Sequence, residues 1–284
     1  MFIASIREDG ASKPVFVHPD KGVLRPQVLD STFNGDAMDL LENDMETGLH
    51  RQASRVPDGQ FEPTSHFTFT APYRSPHKIW GIGLNYRDHA SDLNESVPTE
   101  PASFIKADHT IIGPGDDILI PEQSTRVTAE AELGLIIGRT ARNVSEDDAL
   151  DYVWGVCTIL DQTAEDILRR NPRFLTRAKN FPSFFSFGPF LVPLDEVLPV
   201  FGSVSKIAVS TVLNSIEERT NIVANMAFSP QYLVSFHSQM MPLFPGDIIS
   251  TGTPGALVVN DGDIVECRIP GIGNLTNPVR LGER

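Results

Sequence analysis

Two glutamates one residue apart, Glu130 and Glu132, open the apolar run Leu133-Gly134-Leu135-Ile136-Ile137. Side chains alternate between the faces of a strand, so both carboxylates fall on one side. Side by side they repel unless one is protonated or a cation bridges them. An all-oxygen donor set suits a hard divalent ion such as Mg2+ or Ca2+. For an isolated pair a solvated strand face is the commoner outcome, and spacing alone leaves it open. A third carboxylate shifts the balance. Asp161 closes the apolar run Val153 to Leu160, and an acid at the end of a buried strand is costly unless it is paired, capping or metal-bound. Thr163 competes for the capping role, which frees Asp161 to serve as a ligand. Three carboxylates completed by waters leave open positions for a chelating substrate.

Other residues add acid–base and charge-stabilising chemistry. His89 and Asp92 follow the apolar run Ile79-Trp80-Gly81-Ile82-Gly83. Three apart on a short helix, they face the same side, and an acid beside an imidazole fixes its tautomer as a general base requires. A plain surface histidine fits the pattern equally. Lys179 precedes an aromatic, Pro-containing run. It can hold a carbonyl or enolate oxygen, or snorkel at the surface. The run Pro245 to Gly255 is a strand entering a Gly-rich loop, where the Gly252 backbone and the Thr253 hydroxyl can approach an anion; a simple turn is the alternative. Phe104-Ile105-Lys106 before Gly113-Pro114-Gly115-Asp116 looks like a strand and a turn. The Gly81-x-Gly83 pair lacks the third glycine, long helix and ribose-binding acid of a dinucleotide fingerprint, which makes a nicotinamide-dependent oxidoreductase improbable.

These residues need a scaffold of strands. Residues 1–70 differ from the rest: short apolar runs at 2–6 and 14–17 predict strands, and 36–41 predicts a helix with acids in its first turn. The polar stretch 54–65 predicts a connection to a second unit, 71–284. There, apolar runs recur between Gly, Pro, Asn and Asp clusters. Helix starts are expected at Ser145, near Thr163 and at Ser229-Pro230. Many strands and few helices define a β-rich α+β fold rather than a regular βαβ array.

Composition narrows the partners. The chain has 284 residues, with 37 acidic and 23 basic side chains, a net charge of −14. Nucleic acid is a poor partner for that balance. Cys157 and Cys267 form neither a disulfide framework nor a metal-site spacing. No apolar run approaches the roughly 18 residues needed to span a membrane, and the N-terminus turns acidic too early for a secretory signal. The expectation is a soluble, cytoplasmic protein.

In order along the chain, the motifs resemble the fumarylacetoacetate hydrolase family, in a two-domain bacterial-type form. The resemblance runs from about Lys78 to Val279. It rests on Gly83-x-Asn85-Tyr86-x-x-His89-Ala90, Glu130-x-Glu132-Leu133, Asp161 with Thr163-Ala164, Lys179 with Phe181, Gly188-Pro189, Pro245 to Pro254 and the turns at Gly262-Asp263 and Gly271-Ile272-Gly273. It implies a mixed β-roll catalytic domain with a small N-terminal α/β domain, and a homodimer. It implies Mg2+ (or Mn2+ or Ca2+) held by Glu130, Glu132 and Asp161, and a substrate that is a 2-oxo or 1,3-diketo acid. His89, on a lid, matches the water-activating residue, Asp92 its acidic partner, Lys179 an enolate-stabilising lysine and Thr253 a residue near the substrate carboxylate; Tyr86 and Gly252 belong to the same substrate-facing motifs. Two departures stand out. Asp92 replaces the usual Glu, and Glu165 replaces a frequent Arg, which either removes a positive charge near the site or alters a surface pair.

The activity that follows is metal-dependent hydrolysis of a C–C bond in an acylpyruvate-like acid through a stabilised enolate. Oxaloacetate decarboxylase, or an enol–keto isomerase or dehydratase of a 2-oxo acid, uses the same apparatus and is the alternative. A non-catalytic binding protein is a remote one, supported only by the two departures.

Overall fold

The computed structural model describes residues 1–88 and 96–282. Its strands are β1 (Phe2–Glu8), β2 (Ala11–His18), β3 (Gly22–Leu24), β4 (Phe69–Thr70), β5 (Ile79–Gly83), β6 (Ala102–Lys106), β7 (Ile111–Ile112), β8 (Ile118–Ile120), β9 (Val127–Ile137), β10 (Val153–Ala164), β11 (Phe185–Phe187), β12 (Phe190–Pro193), β13 (Ala208–Leu213), β14 (Ile216–Ile222), β15 (Ile248–Ser250), β16 (Ala256–Val259), β17 (Ile264–Ile269) and β18 (Gly273–Leu281).

The long strands β9 and β10 pair antiparallel at the centre, with a bulge at Trp154. Their side chains separate by parity. Val127, Ala129, Ala131, Leu133, Leu135 and Ile137 of β9 enter one core with Val156, Leu160 and Ala164 of β10. Ile136, Cys157 and Ile159 enter a second core. Both faces are buried, so the segments read as continuous apolar runs instead of alternating ones. A one-residue slip would exchange the faces, and burial on both sides pins the register.

The central sheet runs β3-β2-β1-β12-β10-β9-β15-β5-β6, with β4, β7, β11 and β16 attached off this path. A second sheet, β14-β13-β17-β18-β8, covers the first core through Val209, Val265, Cys267, Leu275 and Val279. Most pairs are antiparallel, whereas β15 with β5, β18 with β8 and β11 with β7 are parallel. This is the β-rich, mixed α+β roll expected.

The first 70 residues join the sheet through β1, which pairs with β12. Helix Ala37–Thr47 starts at Asp36, whose carboxylate accepts from the backbone of Met38 and Asp39 while Asp39 returns a bond to Asp36. It ends at Gly48 in the left-handed region, φ 64°. Leu40 and Leu41 are buried in the second core, which also holds Ile3, Phe16, Ile136 and Ile159.

Two expected helices change. Ser145 does cap a turn, accepting from the Asp148 backbone at 3.2 Å, but only the 3-10 turn Ala149–Tyr152 follows before β10 begins. At Thr163 the strand continues to Ala164, and the helix Glu165–Arg170 starts two residues later than expected. The Thr163 hydroxyl is engaged elsewhere, by Glu130. The helix at Ser229-Pro230 forms as expected, with Ser229 accepting from Tyr232 N at 3.0 Å.

Candidate active site

The β9–β10 register places Asp161 opposite Glu130 and Ile159 opposite Glu132. One carboxylate oxygen from each of Glu130, Glu132 and Asp161 lies within 4.8 Å of the others. Asp161 and Glu132 are buried and Glu130 is partly exposed. Two ammonium groups complete the cluster. Lys179, at the end of the helix Leu175–Lys179, donates to Glu130 Oε2 at 2.9 Å and Asp161 Oδ2 at 2.6 Å. Lys106, at the end of β6, donates to Asp161 Oδ1 at 2.5 Å and is fully buried. Asn180 ties the two lysine-bearing segments together: its Oδ1 accepts from Ala107 N at 2.7 Å and its Nδ2 donates to Ile105 O at 3.1 Å.

Each glutamate is aimed by neighbours. Thr163 and Thr128 donate to Glu130 Oε1 at 2.8 and 3.1 Å. Ser250 Oγ and the Gly252 backbone N–H donate to Glu132 Oε2 at 2.5 and 2.7 Å. Gly252 adopts φ +99°, and a Cβ there would meet Asn85 Cβ at 2.7 Å. Only glycine lets this backbone turn its N–H onto the carboxylate without displacing Asn85. Asn85 is itself fixed, donating to Thr251 O at 2.7 Å and Phe228 O at 3.0 Å.

The charges are mutually dependent. Burial, reinforced by Asp161, pushes Glu132 up to about 8. Burial pulls Lys106 down to about 8 against the attraction of Asp161. For Lys179 the carboxylates of Asp161, Glu130 and Glu132 outweigh burial and raise it. Burial and the neighbouring acids thus disfavour the charged form of Glu132. Three carboxylates with no sulfur or imidazole among the described donors fit a hard divalent ion.

The remaining expected residues divide. Tyr86 is fully buried, and its hydroxyl has no hydrogen-bond partner among the described residues. Burial and the nearby Glu132 raise its pKa. The Gly252 N–H is committed to Glu132, and the Thr253 hydroxyl to the Gly255 backbone at 3.2 Å. His89 and Asp92 lie outside the described residues. Glu165 pairs with Arg126 Nε and with Arg169 Nη2, the latter at 2.7 Å. Lys106, Ser250, Thr128 and the positioning role of Thr163 were not foreseen. Lys106 carried a faint signal, a cation ending an apolar strand run, but its partner lies 55 residues away in sequence.

A sheet-rich roll thus gathers three carboxylates and two lysines at one strand pair. The family model of the fumarylacetoacetate (FAA) hydrolase C-terminal domain matches residues 78–280, and the chain belongs to that family. A mitochondrial oxaloacetate tautomerase of Xenopus laevis is 35% identical over 76% of this chain and 69% of its own. A 2,4-didehydro-3-deoxy-L-rhamnonate hydrolase of a Sphingomonas strain is 34% identical over 89% of this chain and 91% of its own. The crystal structure of maleylpyruvate hydrolase from Sphingobium sp. SYK-6 with manganese(II) and pyruvate superposes with a TM-score of 0.83, at 25% identity, covering both chains completely.

Proposed function

We propose that this chain is a divalent-metal-dependent hydrolase that cleaves a C–C bond in an acylpyruvate-like acid. The observation that carries the proposal is the Lys179 ammonium seated between Glu130 and Asp161, beside Glu132. Support comes from the maleylpyruvate hydrolase that shares the fold and holds manganese and pyruvate. Glu130, Glu132 and Asp161 would hold Mg2+, Mn2+ or Ca2+, and such an ion supplies Lewis acidity toward the keto and carboxylate oxygens of a 2-oxo acid.

The chain's own groups do the rest. His89, paired with Asp92, takes a proton from water, and the hydroxide adds to the remote carbonyl. The C–C bond then breaks, its electron pair passes to the pyruvate half, and the proton on His89 returns to that carbon. Lys179 donates to the oxygen that gains charge as the bond breaks. Lys106 holds Asp161 in place from the opposite side. Tyr86, Gly252 and Thr253 stand behind the carboxylates: Tyr86 is buried, the Gly252 N–H is held by Glu132 and the Thr253 hydroxyl by the Gly255 backbone, and their roles toward substrate are those the family resemblance implies. We place this enzyme in the cytoplasm as a homodimer, an assembly that sedimentation would test.

A second activity, enol–keto conversion or decarboxylation of oxaloacetate, has the tautomerase relative in its favour. It needs the same charge stabilisation but no attacking water. Acylpyruvates, fumarylpyruvate and oxaloacetate assayed with Mg2+ and with EDTA separate the two. Hydrolysis that needs Mg2+ and is lost in His89→Ala supports the first. Conversion of oxaloacetate alone, unaffected by His89→Ala, replaces it with the second.

A further inference from the structure

Gly81 of β5 pairs directly with Phe104 of β6. On its other side Gly81 pairs with Ser250 of β15, whose hydroxyl donates to Glu132. This row of the sheet leads from the carboxylates to β6. A Cβ on Gly81 would overlap Cε2 and Cζ of the Phe104 ring. The ring therefore lies over the bare backbone of Gly81, a place that only glycine leaves open.

The ring also meets a cation. Lys179 Nζ sits over it, 4.7 Å from the centroid. Both partners are buried, Phe104 at 7% exposure and Lys179 at 5%. The negative face of an aromatic ring attracts an ammonium, the more so where water is excluded. Two of the three N–H donors of Lys179 go to Glu130 Oε2 and Asp161 Oδ2. The ring closes a further side and offers no lone pair, which leaves the third N–H for an incoming oxygen. A divalent ion on Glu130, Glu132 and Asp161 would draw on the same oxygens that hold Lys179. A neutral ring steadies the ammonium without entering that competition. Two residues further along the same face of β6, Lys106 reaches Asp161. One short strand thus supports both Lys179 and Asp161.

We propose that Phe104 is a positioning residue: its ring face, seated on Gly81, fixes the Lys179 ammonium where charge develops on the substrate oxygen. This rests on the function proposed above, and adds what steadies Lys179 once the carboxylates are engaged. Phe104 acts through Lys179 alone.

Replacing Phe104 by 3,4,5-trifluorophenylalanine tests this, because fluorine withdraws electron density from the ring face and nearly keeps the ring's shape. With acetylpyruvate and Mg2+, kcat should fall about fivefold on fluorination and about tenfold in Phe104→Leu, while KM changes by less than about twofold. Phe104→Tyr keeps the face and should retain most of the parent's kcat. Gly81→Ala displaces the ring; it should lower kcat in the parent and add nothing in the Phe104→Leu background. The metal-free protein supplies a second readout. Its 15N-labelled Lys179 ammonium should resonate upfield through the ring current of Phe104, and Phe104→Leu should abolish that shift. Parent kcat in the fluorinated protein reduces Phe104 to a space-filling residue and overturns the inference alone. A parent that shows no Mg2+-dependent hydrolysis of acetylpyruvate overturns the inference together with the function beneath it.

Discussion

At the scale of single residues, the site is a balance of buried charge. Asp161 is shared by two ammonium groups, each making a short hydrogen bond to a different oxygen. Removing one partner of a buried ion pair leaves uncompensated charge, which typically costs about 3–5 kcal/mol. Lys106→Met keeps the length of the side chain and loses the cation, so it should destabilise the protein by about 3 kcal/mol in denaturant unfolding. A loss below about 1 kcal/mol, the scale of an exposed pair, would show that Lys106 is not the charge partner of Asp161. The three carboxylates were legible in the sequence because strand periodicity put Glu130 and Glu132 together and an acid at the end of an apolar run stood out. Lys106 was not, because its role depends on the end strand β6 delivering its side chain to Asp161 of β10, a long-range contact no local pattern encodes. Thr163 was misread for a related reason. Local preference made it a helix cap, whereas the β9 pairing continues through it and Glu130 takes its hydroxyl.

At the scale of elements, the loop after β15 is what aims Glu132. Gly252→Ala would place a methyl group 2.7 Å from Asn85 Cβ and 3.1 Å from Ile82 O, at φ +99°. Strain of this kind costs of order 1–3 kcal/mol, and relieving it moves the N–H away from Glu132. Both the melting temperature and the affinity for Mn2+ should fall; a variant equal to the parent in both would free Glu132 from dependence on this loop. The strand order of the roll was not legible. The sequence showed that strands exist, but β15 reaches β5 and β9 only through pairings far apart in the chain. The aborted helix after Ser145 has a simpler cause. Its cap forms, yet four residues of 3-10 turn are all that fit before β10.

At the scale of the molecule, residues 1–70 and 71–284 share one sheet and one apolar core, through β1–β12 pairing and a cluster that holds Leu40 and Leu41 together with Ile136 and Ile159. We propose that they are two units that unfold together, and differential scanning calorimetry should give a single transition. Two separated transitions would show the units to be independent. A buried ionic bridge crosses the same boundary. His50 contacts Asp44 Oδ2 at 2.7 Å through Nδ1 and Asp195 at 3.0 Å through Nε2, and Trp154 donates to Asp44 at 2.7 Å. Burial lowers the pKa of His50, but the two carboxylates together outweigh it and the net shift is upward. A raised pKa in the folded state means the bridge contributes fully below the unfolded value of about 6.5 and is lost as pH climbs through the folded value. The stability advantage of the parent over His50→Gln should therefore be largest at acid pH and shrink toward alkaline pH. An advantage that grows with pH would contradict this.

The direct test of the central claim is a titration of Mn2+ into the metal-free parent and into Glu132→Ala, followed by calorimetry and by the electron paramagnetic resonance of the free ion. Three converging carboxylates predict one bound ion per chain in the parent and none held tightly in the variant. Equal, tight binding in both proteins would place the ion elsewhere and contradict the account.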